Sequence, residues 1–242
     1  MQKNQLRQNI KVRTYKDTDR IDLNKDFIRM EGFNTLRNNV RICLKKDTNN
    51  KILITSPLAG EGKSTCSCNL ALSIAKTEKK VIIIDCDLRK PVIHKTFELS
   101  NKLGLTDLLS SLTDLSGAIQ KTSCENLFIL SAGRSVPNPS ALLSGEEIRS
   151  IIHDLEKKFE YIILDCPPIN VVADAIPLFG IVDGMVLVIR KGTTKHPDLQ
   201  KALSTIKFTN ANIFGIFMYD KIGSDKDNRK YYEKYGSYYN NT

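Results

Sequence analysis

The sequence predicts an α/β fold with a mostly parallel central sheet and helices on both of its faces. Three observations lead there. Short β-branched runs recur along the chain, helical patterns lie between most of them, and the runs are continuously apolar rather than alternating, as in strands buried on both sides. The length, 242 residues, suits one such core.

Residues 1–25 are polar and aperiodic and are expected to form a mobile basic arm. The chain carries a net charge of +9, and residues 1–50 hold 12 Lys/Arg against 6 Asp/Glu. No aromatic or groove-reading pattern accompanies that charge, so nucleic acid is not an expected partner. A helix is predicted from Phe27 to Leu44, because Phe33, Leu36, Val40 and Leu44 recur at helical spacing. Strands are predicted at Ile52–Thr55, Val81–Ile84, Leu127–Leu130, Tyr161–Leu164, Met185–Ile189 and Ile213–Met218. Gly104–Leu109 reads as a short helix within an otherwise unassigned stretch. Ser144 and Glu147 have the spacing of a capping box ahead of Ile148, Ile151, Ile152 and Leu155. The folded domain is placed at 26–222 and a flexible tyrosine-rich tail at 223–242.

Several classes are excluded. Apolar runs are strand length, far short of the ~20 residues of a membrane span, and the N-terminus has no signal-like stretch. A soluble, cytoplasmic protein is expected. Six cysteines occur without any CxxC pair, which reads as reduced, buried thiols, and the three histidines form no metal or triad pattern.

The chemistry lies where strands end, since ligands of parallel sheets bind beyond the C-terminal strand tips. The first strand runs into Ser56-Pro57-Leu58-Ala59-Gly60-Glu61-Gly62-Lys63-Ser64-Thr65 and then a helix. Gly60 and Gly62 let backbone amides curl around phosphates, with Glu61 and Thr65 in the same loop, and the helix N-terminus adds positive potential. Lys63, read as a surface loop charge, reaches the β- and γ-phosphates, and the Ser64 hydroxyl ligates Mg²⁺. This is a P-loop (Walker A) with Pro57 in place of its usual first glycine. The second strand ends in Asp85-Cys86-Asp87, whose acids in extended backbone share a side. The fourth ends in Asp165-Cys166-Pro167-Pro168, with Asp165 in the Walker B role. Together these tips predict a P-loop NTPase-like protein that binds ATP and Mg²⁺.

The three motifs resemble those of the bacterial tyrosine kinases, and Pro137-Asn138-Pro139-Ser140-Ala141-Leu142-Leu143 resembles a further segment of that family. The likeness is to the free-standing cytoplasmic kinases of capsule and exopolysaccharide assembly in Gram-positive bacteria. It runs from about Phe27 to the C-terminus. It implies a protein-tyrosine kinase in which Lys63, Asp85, Asp87 and Asp165 are catalytic. Ser64, Asp87 and Asp165 organise magnesium, and Asp85 is the candidate base, the choice between Asp85 and Asp87 staying open. It implies autophosphorylation between subunits on Tyr231, Tyr232, Tyr235, Tyr238 and Tyr239, which are five of the eight tyrosines. A ring-like homo-oligomer, a membrane-anchored activator or adaptor, protein tyrosine substrates and a phosphotyrosine phosphatase are the implied partners. The kinase would then lie at the inner face of the membrane, held there by its partner. The family's ring-forming Glu-x-x-Arg-x-x-Arg pattern reads Glu31, Asn34, Arg37 here, and Asp220 stands where relatives usually have an asparagine after the final core strand. The alternative is a ParA/MinD-like positioning ATPase. Such switches carry a signature lysine five residues before the P-loop lysine, where this chain has Leu58, and lack a terminal tyrosine cluster.

Overall fold

The computed structural model describes residues 23–44 and 50–219, with side chains from Glu31 onward. Residues 1–22 of the expected arm, Asp220 and the tyrosine cluster lie outside the described residues, and residues 23–25, expected in the arm, open α1 instead. Elements follow in the order α1 (Leu23–Cys43), β1 (Asn50–Thr55), α2 (Lys63–Ala75), β2 (Val81–Asp85), α3 (Ile93–Thr96), α4 (Leu105–Leu109), α5 (Leu115–Ala118), β3 (Ile119–Lys121), β4 (Leu127–Leu130), α6 (Pro139–Leu143), α7 (Glu146–Glu156), β5 (Tyr161–Asp165), a 3₁₀ turn (Ile176–Ile181), β6 (Gly184–Arg190), α8 (His196–Phe208) and β7 (Ile213–Tyr219).

Among the described residues the sheet has seven strands in the order β3-β4-β2-β5-β1-β6-β7, and only β3 is antiparallel. All six predicted strands are present. Strand β3 went unpredicted because Ile-Gln-Lys has no periodicity to read. Side chains alternate across the pleat, so neighbouring residues feed opposite cores. Leu53, Ile82, Ile84, Ile162, Leu164 and Leu187 pack with α7 and α8 on one face. Ile52, Ile54, Val81, Ile83, Ile163 and Val188 pack with α1 and α2 on the other. Each fully buried Ile or Leu contributes about 1.5–3 kcal/mol of transfer free energy.

The predicted capping box is replaced by a different start. Ser144 ends α6, and its hydroxyl donates to the Ser140 carbonyl, 2.7 Å away. With φ −95° and ψ −10° it lacks the extended backbone an N-cap needs. Gly145, at φ −71° and ψ 167°, is the N-cap of α7 instead. Five cysteines are buried as expected, but Cys43 is exposed. Among the described residues no helix is long and apolar enough to cross a membrane.

Candidate active site

Strands β2, β5 and β1 are adjacent, and in register Asp85 pairs with Asp165 and Asp165 with Ile54. Parallel pairing therefore brings the P-loop and both acidic strand ends to one edge of the sheet. Gly60 and Gly62 adopt left-handed backbone, φ +81° and +92°, which only glycine accepts without strain. Helix α2 starts at Lys63 and aims its free amides at the loop's hollow.

Lys63 is the hub. Its Nζ lies 2.9 Å from Asp87 Oδ2, 3.6 Å from Asp165 Oδ2 and 3.1 Å from Ser64 Oγ. The side chain is only 12% exposed, so the expected surface charge is in fact buried, because the end of β5 and the turn after β2 place Asp165 and Asp87 against it. Burial alone would lower the ammonium's proton affinity. The carboxylates of Asp165 and Asp87 outweigh burial and hold it above its ordinary value.

Asp165 is fully buried and accepts hydrogen bonds from Ser64 Oγ at 2.6 Å and Ser67 Oγ at 2.9 Å. Burial raises its proton affinity, and Lys63 and the two hydroxyls draw it back. Ser67 escaped the motif reading, although it follows Lys63 by one helical turn and so shares its face. Asp85 and Asp87 do not share a side. Strand β2 stops at Asp85, and the turn after it delivers the amides of Val92 and Ile93 to Asp85 Oδ2 at 3.2 and 3.1 Å, with the Asp87 amide 3.3 Å from Oδ1. Burial and then the nearby Asp165 push Asp85 well above the carboxylate range. Asp87 turns to Lys63 and is 5% exposed.

The Glu61 side chain is wholly buried and points away from the hollow, so only its backbone can face phosphate. Its Oε2 accepts from Leu58 N at 2.7 Å, and its Oε1 from the Thr194 hydroxyl. Ser64 and Thr65 open α2 as expected. Arg89 and Asp174, which carry no sequence signal, join the turn after Asp87 to the segment after β5 through bonds of 2.6 and 3.1 Å.

Among the described residues no three His, Cys, Asp or Glu side chains form a ready-made metal cage. That suits Mg²⁺, which takes one or two carboxylates and completes its shell with water and phosphate. Ser64, Asp87 and Asp165 could hold such an ion, beside a glycine loop that runs into the N-terminus of α2.

Along α1, Glu31 and Arg37 are linked through Asn34. Asn34 Nδ2 is 3.3 Å from Glu31 Oε2, and Arg37 Nη1 is 3.3 Å from Asn34 Oδ1. The same Arg37 Nη1 reaches the Ser73 carbonyl of α2 at 2.8 Å.

A family described as an AAA domain matches residues 49–213. The chain is 36% identical over 160 residues to the tyrosine-protein kinase CpsD of Streptococcus pneumoniae, covering 66% of this chain and 70% of that one. It is 36% identical over 154 residues to the tyrosine-protein kinase YwqD of Bacillus subtilis, covering 64% and 65%. The matches thus span about two thirds of these relatives' own lengths. Among solved structures, the kinase domain of the Escherichia coli tyrosine kinase ETK superposes with a TM-score of 0.77 at 28% identity, over 81% of this chain and 78% of that one. Motifs, fold and these relatives agree, and the chain belongs to the bacterial tyrosine-protein kinase family.

Proposed function

We propose that this chain transfers the γ-phosphoryl group of ATP to tyrosine hydroxyls, among them Tyr231, Tyr232, Tyr235, Tyr238 and Tyr239 of a neighbouring copy. The observation that supports this best is the convergence of Lys63, Ser64, Asp87 and Asp165 at adjacent strand tips. The amides of Gly60 to Thr65 hold the phosphates, and Lys63 leaves its carboxylates to join them. Ser64, Asp87 and Asp165 hold Mg²⁺, which when bound supplies positive charge to the transferring group.

The tyrosine oxygen bonds to the γ-phosphorus as the bond to the bridging β–γ oxygen breaks, and the tyrosine proton passes to a carboxylate. Asp85 serves as that acceptor in the first reading, supported by its raised proton affinity. Asp87 is the second, favoured because both Asp85 oxygens face backbone amides, whereas Asp87 gives only Oδ1 to the Lys90 amide and turns Oδ2 to Lys63.

The same reading gives the chain a ring-like assembly through α1, with Glu31 and Arg37 at the contact, and a membrane-anchored adaptor that activates it at the inner membrane face. A phosphotyrosine phosphatase reverses the modification, and the output is control of capsular or extracellular polysaccharide synthesis. The test is incubation with γ-labelled ATP followed by phosphoamino-acid analysis. Lys63→Met protein with an intact tail is mixed with active protein whose five tail tyrosines are phenylalanine. Phosphotyrosine on the inactive partner's tail supports transfer between copies; phosphate release with unlabelled protein would overturn it.

A further inference from the structure

We propose that Arg190, Thr194 and Tyr219 are positioning residues that hold the phosphate loop open before nucleotide arrives. The proposal rests on the reading of that loop as a nucleotide site. A loop whose N–H groups point into one hollow is favoured by an anion and, without one, has like dipoles facing each other. Something outside the loop must then keep its shape, and none of Lys63, Ser64, Asp87 or Asp165 touches its outer side.

The ends of β6 and β7 do. Arg190 and Tyr219 are register partners, and the chain turns sharply after Arg190, with the Lys191 amide donating to the Tyr219 carbonyl at 2.9 Å. Three contacts leave this corner for the loop. Arg190 Nη1 donates to the Gly60 carbonyl at 3.1 Å. The Arg190 amide donates to Thr194 Oγ1 at 2.8 Å, and that hydroxyl donates in turn to Glu61 Oε1. The Tyr219 ring closes the outer side of Gly62, where an added Cβ would come within 3.2 Å of it.

Glu61 is the centre of this brace. A fully buried carboxylate is costly unless its oxygens are satisfied, and here one takes the Leu58 amide and the other the Thr194 hydroxyl. The pair of bonds ties residue 58, at the loop's entrance, to residue 61 and to the end of β6. Among the described residues neither Thr194 nor Tyr219 bonds Asp85, Asp87 or Asp165, so the brace acts on nucleotide capture through the loop's shape and leaves the transfer step alone.

The experiment titrates fluorescent ADP into full-length wild type, Thr194→Val and Thr194→Ser, with thermal unfolding of each nucleotide-free protein and steady-state phosphorylation alongside. Valine keeps the volume and deletes the donor; serine restores it. Losing a hydrogen bond to a charged group predicts about tenfold or greater weakening of nucleotide binding in Thr194→Val. The KM for ATP should rise in parallel, kcat should stay within about twofold, and Thr194→Ser should recover wild-type affinity. Should Thr194→Val fail to fold, Tyr219→Ala against Tyr219→Phe reads the same brace, because phenylalanine keeps the ring beside Gly62 and alanine removes it. Unchanged affinity, a loss confined to kcat, or no rescue by serine or phenylalanine overturns the brace. Failure of wild type itself to bind overturns the nucleotide reading, and the brace with it.

Discussion

Replacing Lys63 by methionine tests more than phosphate binding. Methionine nearly preserves the side chain's length, so the perturbation is the removal of one cation from between Asp87 and Asp165, at 2.9 and 3.6 Å. Asp165 is fully buried and the Asp87 side chain is 7% exposed. Stripping one partner from a buried ion pair costs about 3–5 kcal/mol. Proton uptake by a carboxylate relieves part of that, so we take about 3 kcal/mol, which for a domain of this size lowers Tm by roughly 6–12 °C. The pH dependence has a definite sign. Asp85 and Asp165 already bind protons more tightly folded than unfolded, so their stabilising contribution is present at low pH and lost as pH rises through the folded values. Without Lys63 those values climb further, and the mutant's deficit should be wider at about pH 8 than at about pH 5. Thermal unfolding of nucleotide-free protein at both pH values measures it, and autophosphorylation should be abolished in the same sample. Equal midpoints for mutant and wild type, or a deficit that widens on acidification, would refute the buried-cation argument.

Ser64→Ala removes the hydroxyl 2.6 Å from Asp165 and should raise the magnesium needed for half-maximal transfer by about tenfold or more, read from a metal titration. Asp85→Asn and Asp87→Asn separate the two base assignments: the true acceptor loses about 10²–10⁴-fold in kcat with nucleotide affinity kept, measured by single-turnover phosphorylation. Arg37→Ala loses its bond to the Ser73 carbonyl and should cost about 1.5–3 kcal/mol in denaturant unfolding. Light scattering of the same variant should show smaller assemblies, and identical masses would take Arg37 out of the contact between copies.

The sheet was legible because each buried strand announces itself locally, as in Val81–Ile84 and Tyr161–Leu164, and because parallel pairing then dictates that their ends meet. The phosphate loop and Asp165 were legible for the same reason: a short motif at a strand tip has only one place to go. The brace was not. Glu61 meets Thr194 across 133 positions and Arg190 meets Gly60 across 130, and no period or spacing in the chain encodes either contact. The α7 start was misread because Ser144 has two local uses, as N-cap of one helix or C-cap of the last. The five residues of α6 settle that competition by taking its hydroxyl backwards to Ser140.

The two aspartates after β2 show where a pattern argument stops being valid. Placing Asp85 and Asp87 on one side assumed extended backbone through both, and the assumption ends with the strand at Asp85. Beyond it the chain turns, so both Asp85 oxygens accept the turn's own amides while Asp87 divides, Oδ1 taking the Lys90 amide and Oδ2 facing Lys63. Separation suits a site that must both shape a loop and meet a cation. Even turned to the amides, Asp85 stays near enough to Asp165 that burial and that neighbouring charge raise its proton affinity. With Asp85 turned to amides, Asp87 and Asp165 share the cation. In the proposed function, magnesium would take the place of Lys63 at these two acids while Lys63 moves to the phosphates.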